Sequence, residues 1–300
     1  MGRASRTRRQ DAVDNGIVRA VGPTGDSYVH GYDAREHERL LDQAGALAEL
    51  LHEGTRYPRE SRVLEAGSGV GAQTITLATR SPGARFVSVD ISADSIAGAR
   101  RRAARAGLGN VRFCQADIFS LPFAPASFDH VFVCFVLEHL ADPAKALEVL
   151  GRLIRPGGTI TVIEGDHGSA FFHPDSAAAR SAIRCLIDLQ RKADGDSLIG
   201  RKLYPLLVAA GFEAAQVEPR MVYADASRPD LVDGFIRKTF TAMIEGVRGP
   251  AVEAGMIDAQ VFDAGVTALQ RTAESDGAFC YTFFKGTAQK RHPEPDDPAT

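Results

Sequence analysis

The stretch Val63-Leu64-Glu65-Ala66-Gly67-Ser68-Gly69-Val70-Gly71 decides the fold, because it joins a short apolar run directly to three closely spaced glycines. Glycine tolerates backbone angles that other residues avoid, and it lets a ligand approach the backbone closely. The amides of this loop, with the start of the helix that follows, can donate hydrogen bonds to a polar or anionic group. Glycines can also serve a tight turn alone, so the stretch by itself leaves ligand binding and turn formation both open.

The chain around this loop alternates short apolar runs with stretches of helical periodicity, which predicts a doubly wound α/β fold with a parallel sheet. Five strands are predicted before residue 165, with short connections between strands and helices. The predicted strands are Arg62–Ala66, Arg85–Asp90, Val111–Gln115, His130–Val136 and Thr159–Glu164, and the predicted helices are Gln73–Thr79, Ser92–Ala106 and Pro143–Ile154.

The pattern changes after the fifth predicted strand. A helix at Gly200–Ala210 and two closing strands, at Phe212–Tyr223 and Ala278–Gly286, complete the predicted sheet. Two further helical pieces, Asp175–Lys192 and Pro229–Ala273, are too long to be simple connections. They predict a helical cap over the carboxyl edge of the sheet.

Composition and charge exclude several classes of protein. The 300 residues contain 35 Lys and Arg against 38 Asp and Glu, a net charge of −3, so nucleic acid is not an expected partner. The longest apolar run, Val131–Leu137, is far shorter than the roughly 20 residues of a membrane-spanning helix, and no signal peptide is evident. We therefore expect a cytoplasmic protein without a membrane partner. The four cysteines and eight histidines lack metal-site spacing, so no metal is expected. A monomer and a homodimer both remain open.

Acidic residues end the second and third predicted strands. Asp90 lies 19 residues beyond Gly71, where a carboxylate can accept hydrogen bonds from the hydroxyls of a ribose. Asp117 ends the third strand, from which its carboxylate can reach an exocyclic amine of a purine. Either acid could instead cap a helix. A glycine loop and two acids at three consecutive strand ends nevertheless converge on one nucleoside.

Residues 60–165 resemble the class I S-adenosylmethionine-dependent methyltransferases. The resemblance depends on the glycine loop, Asp90, Asp117, and three later segments: Phe128-Asp129, Leu137-Glu138-His139-Leu140 and Arg155-Pro156-Gly157-Gly158. It implies a Rossmann-like seven-stranded sheet with an antiparallel last strand at Ala278–Gly286. It also implies S-adenosyl-L-methionine as cofactor and S-adenosyl-L-homocysteine as product. A nicotinamide-binding domain would share the glycines and Asp90 but not the later segments.

The resemblance also divides the chain into three parts. It implies an N-terminal tail, lid and helix at residues 1–60, a cofactor-binding core at 61–165, and the rest of the sheet with a substrate cap at 166–300. Within the outer parts, residues 36–51 have helical periodicity, and residues 1–12 and 292–300 are expected to be disordered tails.

The N-terminal and late regions resemble a narrower bacterial group within the ubiquinone-biosynthesis-like methyltransferases. The segments that carry this resemblance are Tyr28-Val29-His30-Gly31-Tyr32, Glu164-Gly165-Asp166-His167-Gly168, Gly200-Arg201, Val232-Asp233-Gly234-Phe235 and Tyr281-Thr282-Phe283-Phe284. This resemblance implies that the tyrosine stretch folds over the cofactor and that Arg39 pairs with the cofactor carboxylate, although an arginine on such a helix can equally be solvated. Glu65 is expected close to the methionine part of the cofactor. The residues expected to bind the cofactor are Tyr32, Arg39, Glu65, Gly67, Gly69, Gly71, Gln73, Asp90, Ile91, Asp117, Ile118 and Phe135.

Polar residues at the ends of the fourth and fifth predicted strands are candidates for acting on a methyl acceptor. Asp166 and His167 are the first choices for acid–base or orienting work, and Tyr28 and Glu138 are further catalytic candidates. The sequence Asp166-His167-Gly168 could instead be a turn whose side chains satisfy the local backbone. Glu138 could likewise serve only the local backbone where the strand ends.

Aromatic residues near the expected site favour a flat, mostly apolar small-molecule acceptor, although they suit an ordinary core as well. Similarity to actinobacterial indole-methylating enzymes of alkaloid pathways implies methylation of carbon, at the third carbon of an indole, with Asp166 holding or taking the ring N–H. Methylation of oxygen or nitrogen, and cofactor binding without catalysis, remain open. The aromatic residues are Tyr28, Tyr32, Phe135, Phe171, Phe172, Tyr223 and Phe284.

Overall fold

Runs rich in β-branched and apolar residues form the central sheet. The computed structural model describes Gly45 and residues 47–292, and Tyr28, Tyr32 and Arg39 lie outside the described residues. The strands are β1 (Arg62–Ala66), β2 (Arg85–Asp90), β3 (Val111–Gln115), β4 (Phe128–Cys134), β5 (Ile154–His173), β6 (Phe212–Asp225) and β7 (Ala278–Lys290). Their order in the sheet is β3-β2-β1-β4-β5-β7-β6, with β7 antiparallel to both of its neighbours. The predicted seven-stranded α/β fold is confirmed.

Helices lie on both sides of the sheet, and their starts follow ordinary capping rules. The Ser92 hydroxyl accepts a hydrogen bond from Ser95 N, and the Asp142 carboxylate accepts one from Lys145 N. Among the described residues, no helix is both long and apolar enough to cross a bilayer. After a first helical segment at residues 47–52, the α-helices are α1 (Ala72–Arg80), α2 (Ala93–Arg105), α3 (Pro143–Leu153), α4 (Ala177–Lys192), α5 (Leu203–Ala209), α6 (Pro229–Leu231), α7 (Ala242–Gly246), α8 (Arg248–Glu253) and α9 (Ala259–Arg271).

The fifth strand is much longer than predicted. The expected end at Glu164 is wrong, because β5 stays paired with β7 until His173 lies opposite Ala278, with one irregularity after Asp166. The chain does not turn away where the other parallel strands end. As a result Phe171 lies at the far end of the extension with 61% of its surface exposed. The extended part of β5, β6 and β7 rises above the carboxyl edge of the remaining sheet.

The cap consists of α4 and the helical run from Pro229 to Arg271, and aromatic rings join it to the extended sheet. Phe240 lies 4.8 Å from Phe279, and Phe235 lies 5.5 Å from Tyr281, measured between ring centroids. All four rings are almost completely buried. Both predicted helical insertions are therefore present, and they cover one face of the sheet extension.

A π-helix interrupts the cap at Val232–Thr241. Its backbone hydrogen bonds reach one residue farther than those of an α-helix, and such turns are uncommon and often lie near functional sites. The Thr239 hydroxyl donates to Gly234 O at 2.7 Å. The π-helix also contributes Phe235 and Phe240, the two rings that contact the sheet.

Two basic side chains, one from the end of α1 and one from β7, bind the end of the first described helix, residues 47–52. Arg80 Nη1 donates to His52 O at 2.9 Å, and Lys285 Nζ donates to Glu53 O at 2.5 Å. The last carbonyls of a helix have no partner within it, so these two side chains satisfy groups that would otherwise be left unbonded. Burial lowers the pKa of Lys285 to about 8.

Gly265 sets the separation between cap helices α4 and α9. A Cβ at this position would lie 2.6 Å from Ala178 O and 3.0 Å from Ala182 Cβ, both on α4. We predict that Gly265→Ala lowers the free energy of unfolding by roughly 1–3 kcal/mol, because the backbone of α4 would have to move. Gly98→Ala in α2 is the matched control, since its Cβ would meet only the end of the Arg102 side chain.

Urea unfolding of the two variants measures the difference. Gly98→Ala should leave stability unchanged or raise it by up to about 1 kcal/mol, the gain in helix propensity. Equal stability changes in the two variants would contradict the close helix crossing at Gly265.

Candidate active site

The glycine loop follows β1 and leads into α1. Gly67, Gly69 and Gly71 all have positive φ, at 76°, 50° and 80°. A Cβ at Gly67 would overlap the Val136 side chain, and a Cβ at Gly71 would lie 2.9 Å from Ala99 Cβ. A Cβ at Gly69 would meet nothing within 4 Å. The first and last glycines are therefore required by packing, whereas Gly69 borders open space that a ligand can enter.

Asp90 lies against this loop at the end of β2. Its Oδ2 accepts a hydrogen bond from Gly69 N at 2.7 Å, and its Oδ1 accepts one from Ser92 N at 2.9 Å. Burial raises the pKa of Asp90, while these backbone bonds act in the opposite direction. The loop and the carboxylate thus form one unit, and Ile91, which is 39% exposed, follows it at the surface.

Asp117 follows β3 and closes a local turn. Its Oδ1 accepts a hydrogen bond from Phe119 N at 2.8 Å, and its backbone oxygen accepts one from Ser120 N. This is a turn and not the helix cap considered for the residue, because the described residues between β3 and β4 form no helix. Half-buried Ile118 lies beside it. Contact with a purine amine stays a prediction for Asp117.

Glu65 and Gln73 lie beneath the loop rather than at its surface. Glu65 Oε2 accepts hydrogen bonds from the Thr74 and Ser88 hydroxyls at 2.7 and 2.6 Å, and burial raises its pKa to about 7. Gln73 Oε1 lies 2.6 Å from His52 Nε2. Both side chains therefore connect elements below the loop, and their contact with the cofactor remains a prediction.

The carboxyl end of β4 turns sharply into a 3₁₀ turn at Leu137–His139. Phe135 adopts a positive φ of 57° there, and its ring lies 5.4 Å from that of Phe283. Glu164 of β5 holds the turn, because its Oε1 accepts hydrogen bonds from Val136 N and Leu137 N at 3.0 and 2.8 Å. Glu138 is thereby placed directly above β4.

Glu138 and Glu164 form a carboxyl pair at this edge. Glu164 is completely buried, and its Oε2 has no hydrogen-bond partner among the described residues. Burial, and then the nearby charge of Glu138, raise the pKa of Glu164 well above its usual range. The Glu138 side chain is 12% exposed, with Oε1 3.6 Å from His139 Nε2 and Oε2 3.4 Å from Gln190 Nε2. Within the pair, Glu138 is the member that keeps some contact with solvent.

Asp166 and His167 are neighbours in β5 and therefore point to opposite faces of the sheet. Asp166 is bound by Arg201 through both oxygens, at 2.6 and 2.8 Å, on the face with the 3₁₀ turn Ile199–Lys202. His167 lies on the cap face, with Nδ1 2.7 Å from the Tyr281 hydroxyl and its ring 6.2 Å from that of Phe240. The structure does not bring the two first-choice residues together at one site.

The aromatic residues expected around the acceptor are also divided. Phe171 and Tyr223 are 61% and 48% exposed, and Phe284 lies next to Gly200 on the face opposite the cap. Phe172 stacks on Phe279 within the sheet extension. The extension of β5 thus distributes these four rings along and across the sheet, and their contact with an acceptor stays a prediction.

Sequence reasoning missed three side chains that organise this region: Gln190, Arg201 and Tyr281. Arg201 and Tyr281 lie in segments that the family resemblance singled out, but no local pattern gives them partners 35 and 114 residues away. Gln190 is a polar residue within the buried stripe of α4. That interruption of an apolar stripe is the one signal that the sequence offers.

The loop region fits an adenosyl cofactor. Open space lies over Gly69, and the Ser68 hydroxyl is buried without a hydrogen-bond partner among the described residues. The Asp90 carboxylate adjoins the same space. Such a site offers hydroxyl, amide and carboxylate partners to a nucleoside without a side chain in the way.

Comparisons with known proteins agree with this geometry. Residues 59–211, just over half of the chain, match the family described as the methyltransferase domain. An uncharacterized 37.1 kDa protein in transposon TN4556 of Streptomyces fradiae is 36% identical over 192 residues, which cover 63% of this chain and 54% of that protein. Demethylmenaquinone methyltransferase from Thermus thermophilus is 41% identical over 103 residues, which cover 34% of this chain and 46% of that enzyme. The chain thus spans about half the length of these relatives.

A solved structure shares the fold across most of the chain. Phosphoethanolamine N-methyltransferase 2 of Haemonchus contortus, in complex with phosphomonomethylethanolamine and S-adenosylhomocysteine, aligns with a TM-score of 0.56 and 17% identity. The alignment covers 91% of this chain and 61% of that one, and it concerns the fold alone. The family match spans the glycine loop, Asp90 and the carboxyl end of β4, so the chain belongs to the methyltransferase-domain family, with S-adenosyl-L-methionine as its cofactor.

Proposed function

We propose that this chain methylates a carbon atom of a small aromatic or heteroaromatic natural-product intermediate, with the third carbon of an indole as the specific candidate. The main support is Glu138, a carboxylate that is 12% exposed at the carboxyl edge and lies beside buried Glu164. A relative from Geotalea daltonii, named ubiquinone/menaquinone biosynthesis C-methyltransferase, is 26% identical over 111 residues. The indole ring is suggested by sequence resemblance.

The residues that would hold the cofactor are those around the glycine loop: Gly67, Gly69, Asp90 and Asp117. When bound, S-adenosyl-L-methionine supplies an electrophilic methyl group on a sulfonium sulfur. The protein then has to hold the acceptor carbon in line with that methyl group, with the two carbon atoms about 3–3.5 Å apart. It also has to keep water out of the site. The aromatic rings beneath the cap suit the exclusion of water.

Glu138 is proposed to take the proton that the acceptor loses. When the ring carbon of the acceptor bonds to the methyl group and the carbon–sulfur bond breaks, the positive charge passes to the rest of the ring, and it is lost when a proton leaves the methylated carbon or a ring N–H. A nearby carboxylate accepts that proton and stabilises the charge as it develops. Burial, and then the charge of Glu138, raise the pKa of Glu164, so the proposal assigns the negative charge of the pair to Glu138.

His167 and Tyr281 are proposed to orient the acceptor from the cap face. Burial, and then the charge of Glu138, raise the pKa of Tyr281 well above its usual range, so its hydroxyl stays protonated. Asp166 has no proton-transfer role in this proposal, because both of its oxygens are bound to Arg201 on the other face.

We predict that Asp90→Asn weakens binding of S-adenosyl-L-homocysteine. The substitution places an amide group where Gly69 N needs an acceptor, so the dissociation constant should rise about tenfold or more, about 1.4 kcal/mol. Isothermal titration calorimetry measures the change. Asp94→Asn, at an exposed position in the first turn of α2, is the control and should bind normally. Undiminished affinity of Asp90→Asn would remove Asp90 from the cofactor site.

We predict that Glu138→Gln lowers the single-turnover rate of methyl transfer by about 10²-fold or more, the usual size of general-base catalysis. Binding of the cofactor product should stay unchanged. Glu148→Gln is the matched control, because Glu148 is an exposed glutamate on α3. The acceptors are a panel of indoles, phenols and quinols incubated with the full chain.

Proton NMR of the product identifies the methylated atom. A methyl group on carbon supports the proposal, and one on oxygen or nitrogen overturns the C-methylation. No product across the panel, with normal cofactor binding, would instead indicate a protein that binds the cofactor without catalysis.

We predict that Asp166→Asn affects stability far more than chemistry. It weakens a bidentate ion pair whose carboxylate is 3% exposed, so the free energy of unfolding should fall by roughly 1–3 kcal/mol while the methyl-transfer rate stays within a few-fold. Asp263→Asn is the matched control, because Arg248 binds Asp263 at the same two distances on the open surface. That variant should unfold like the parent. A rate lost in Asp166→Asn without loss of stability would restore Asp166 as the acceptor's base.

A further inference from the structure

Gln190 occupies an unusual position in the last turn of α4. The buried residues of this helix form an apolar stripe that includes Ile183, Leu186 and Ile187, and Gln190 continues that stripe with 1% of its surface exposed. An amide in such a place costs free energy unless it is hydrogen-bonded. Its Nε2 lies 3.4 Å from Glu138 Oε2, and its Oε1 has no hydrogen-bond partner among the described residues.

The backbone segment that follows α4 is hydrogen-bonded to Glu138 and to His167. Asp196 N donates to Glu138 O at 2.8 Å, and His167 N donates to Ser197 O at 3.0 Å. Gly195 comes directly before Asp196, and a Cβ at this position would lie 2.7 Å from Glu138 O. The end of the cap helix is therefore attached to Glu138 twice, once by the Gln190 side chain and once by the following turn.

Ionisable groups from several elements face Glu138. Its charge contributes to the raised pKa of Glu164, of Tyr281 and of Cys134, each of which is kept neutral mainly by burial. His139, on the same turn, is 3.6 Å away. Within this set Gln190 supplies a neutral N–H donor, which stabilises a carboxylate more than a carboxylic acid. The groups lie on β5 (Glu164), β7 (Tyr281), β4 (Cys134), the 3₁₀ turn (His139) and α4 (Gln190).

We propose that Gln190 is a positioning residue that couples the seating of cap helix α4 to the charge on Glu138. When α4 is packed as in the structure, the Gln190 amide stabilises the Glu138 carboxylate, so Glu138 is available as a base while the cap covers the acceptor. When the end of α4 moves away, Glu138 loses the Gln190 N–H donor, and the Glu138–Glu164 pair holds its protons more tightly. The inference rests on the proposed function only in giving Glu138 the acceptor's proton, since the coupling itself can be measured without an acceptor.

The test follows the titration of the Glu138–Glu164 pair by NMR in the full chain labelled with ¹³C at glutamate Cδ. Glu138→Gln and Glu164→Gln assign the two signals. Gln190→Met keeps the length of the side chain and removes the donor, so the apparent titration midpoint of the pair should rise by about one pH unit. Gln270→Met is the matched control, because Gln270 Nε2 donates to Glu245 at 3.1 Å on an exposed surface. That control should leave the midpoint unchanged.

Amide hydrogen exchange in the parent chain gives a second measurement that needs no Gln190 variant. Protection of the Gly195 and Asp196 amides should fall as the pair takes up a proton, and this dependence should disappear in Glu138→Gln. An unmoved midpoint in Gln190→Met, or protection that is independent of the state of the pair, overturns the coupling. Either result leaves the methyl-transfer role of Glu138 to be judged by its own rate measurement, so the two proposals fail separately.

Discussion

The pairing of β7 between β5 and β6 is the constraint on which the rest of the site depends. Because β7 runs antiparallel and bonds to both neighbours along most of its length, it carries three strands beyond the carboxyl edge of the sheet. The row Phe279, Tyr281 and Phe283 on one face of this extension gives the cap an apolar surface to cover. The same pairing fixes the alternation in β5 that sends Asp166 and His167 to different faces. Both the cap and the division of polar residues between faces therefore follow from one register.

Burial determines the electrostatics of the region more than ion pairing does. Burial is the largest cause of the raised pKa at Glu65, Asp90, Glu164 and Tyr281. Each of these groups is nevertheless bonded to backbone or hydroxyl partners, which limits the cost of removing it from water. The outcome is a site in which burial makes several acids harder to ionise while they serve as fixed hydrogen-bonding groups. Glu138, at the edge of this group, keeps 12% of its side chain exposed.

The parts of this protein that sequence could predict are those whose causes are local. The glycine loop, the strands β1 to β3 and the helices of the core depend on short-range periodicity and capping, and their bounds agree to within one or two residues. The length of β5 could not be found in this way, because its extension depends on pairing with a strand more than 100 residues later. The placement of Asp166 and His167 on opposite faces has the same origin. Glu138 was identified as a candidate from its position after β4, but its partners Glu164 and Gln190 come from two other elements.

The π-helix of the cap has a consequence for how this region can change. A segment whose hydrogen bonds span five residues holds one residue more per turn than an α-helix would, so loss of a single residue between Val232 and Thr241 would let ordinary helical bonding return. A deletion between Phe235 and Phe240 would change their separation from five residues to four, and residues four apart lie on one face of an α-helix. Both rings could then still face the sheet. The extra residue of the π-helix is therefore a point at which the length of the cap can change while its aromatic contact with the sheet is kept.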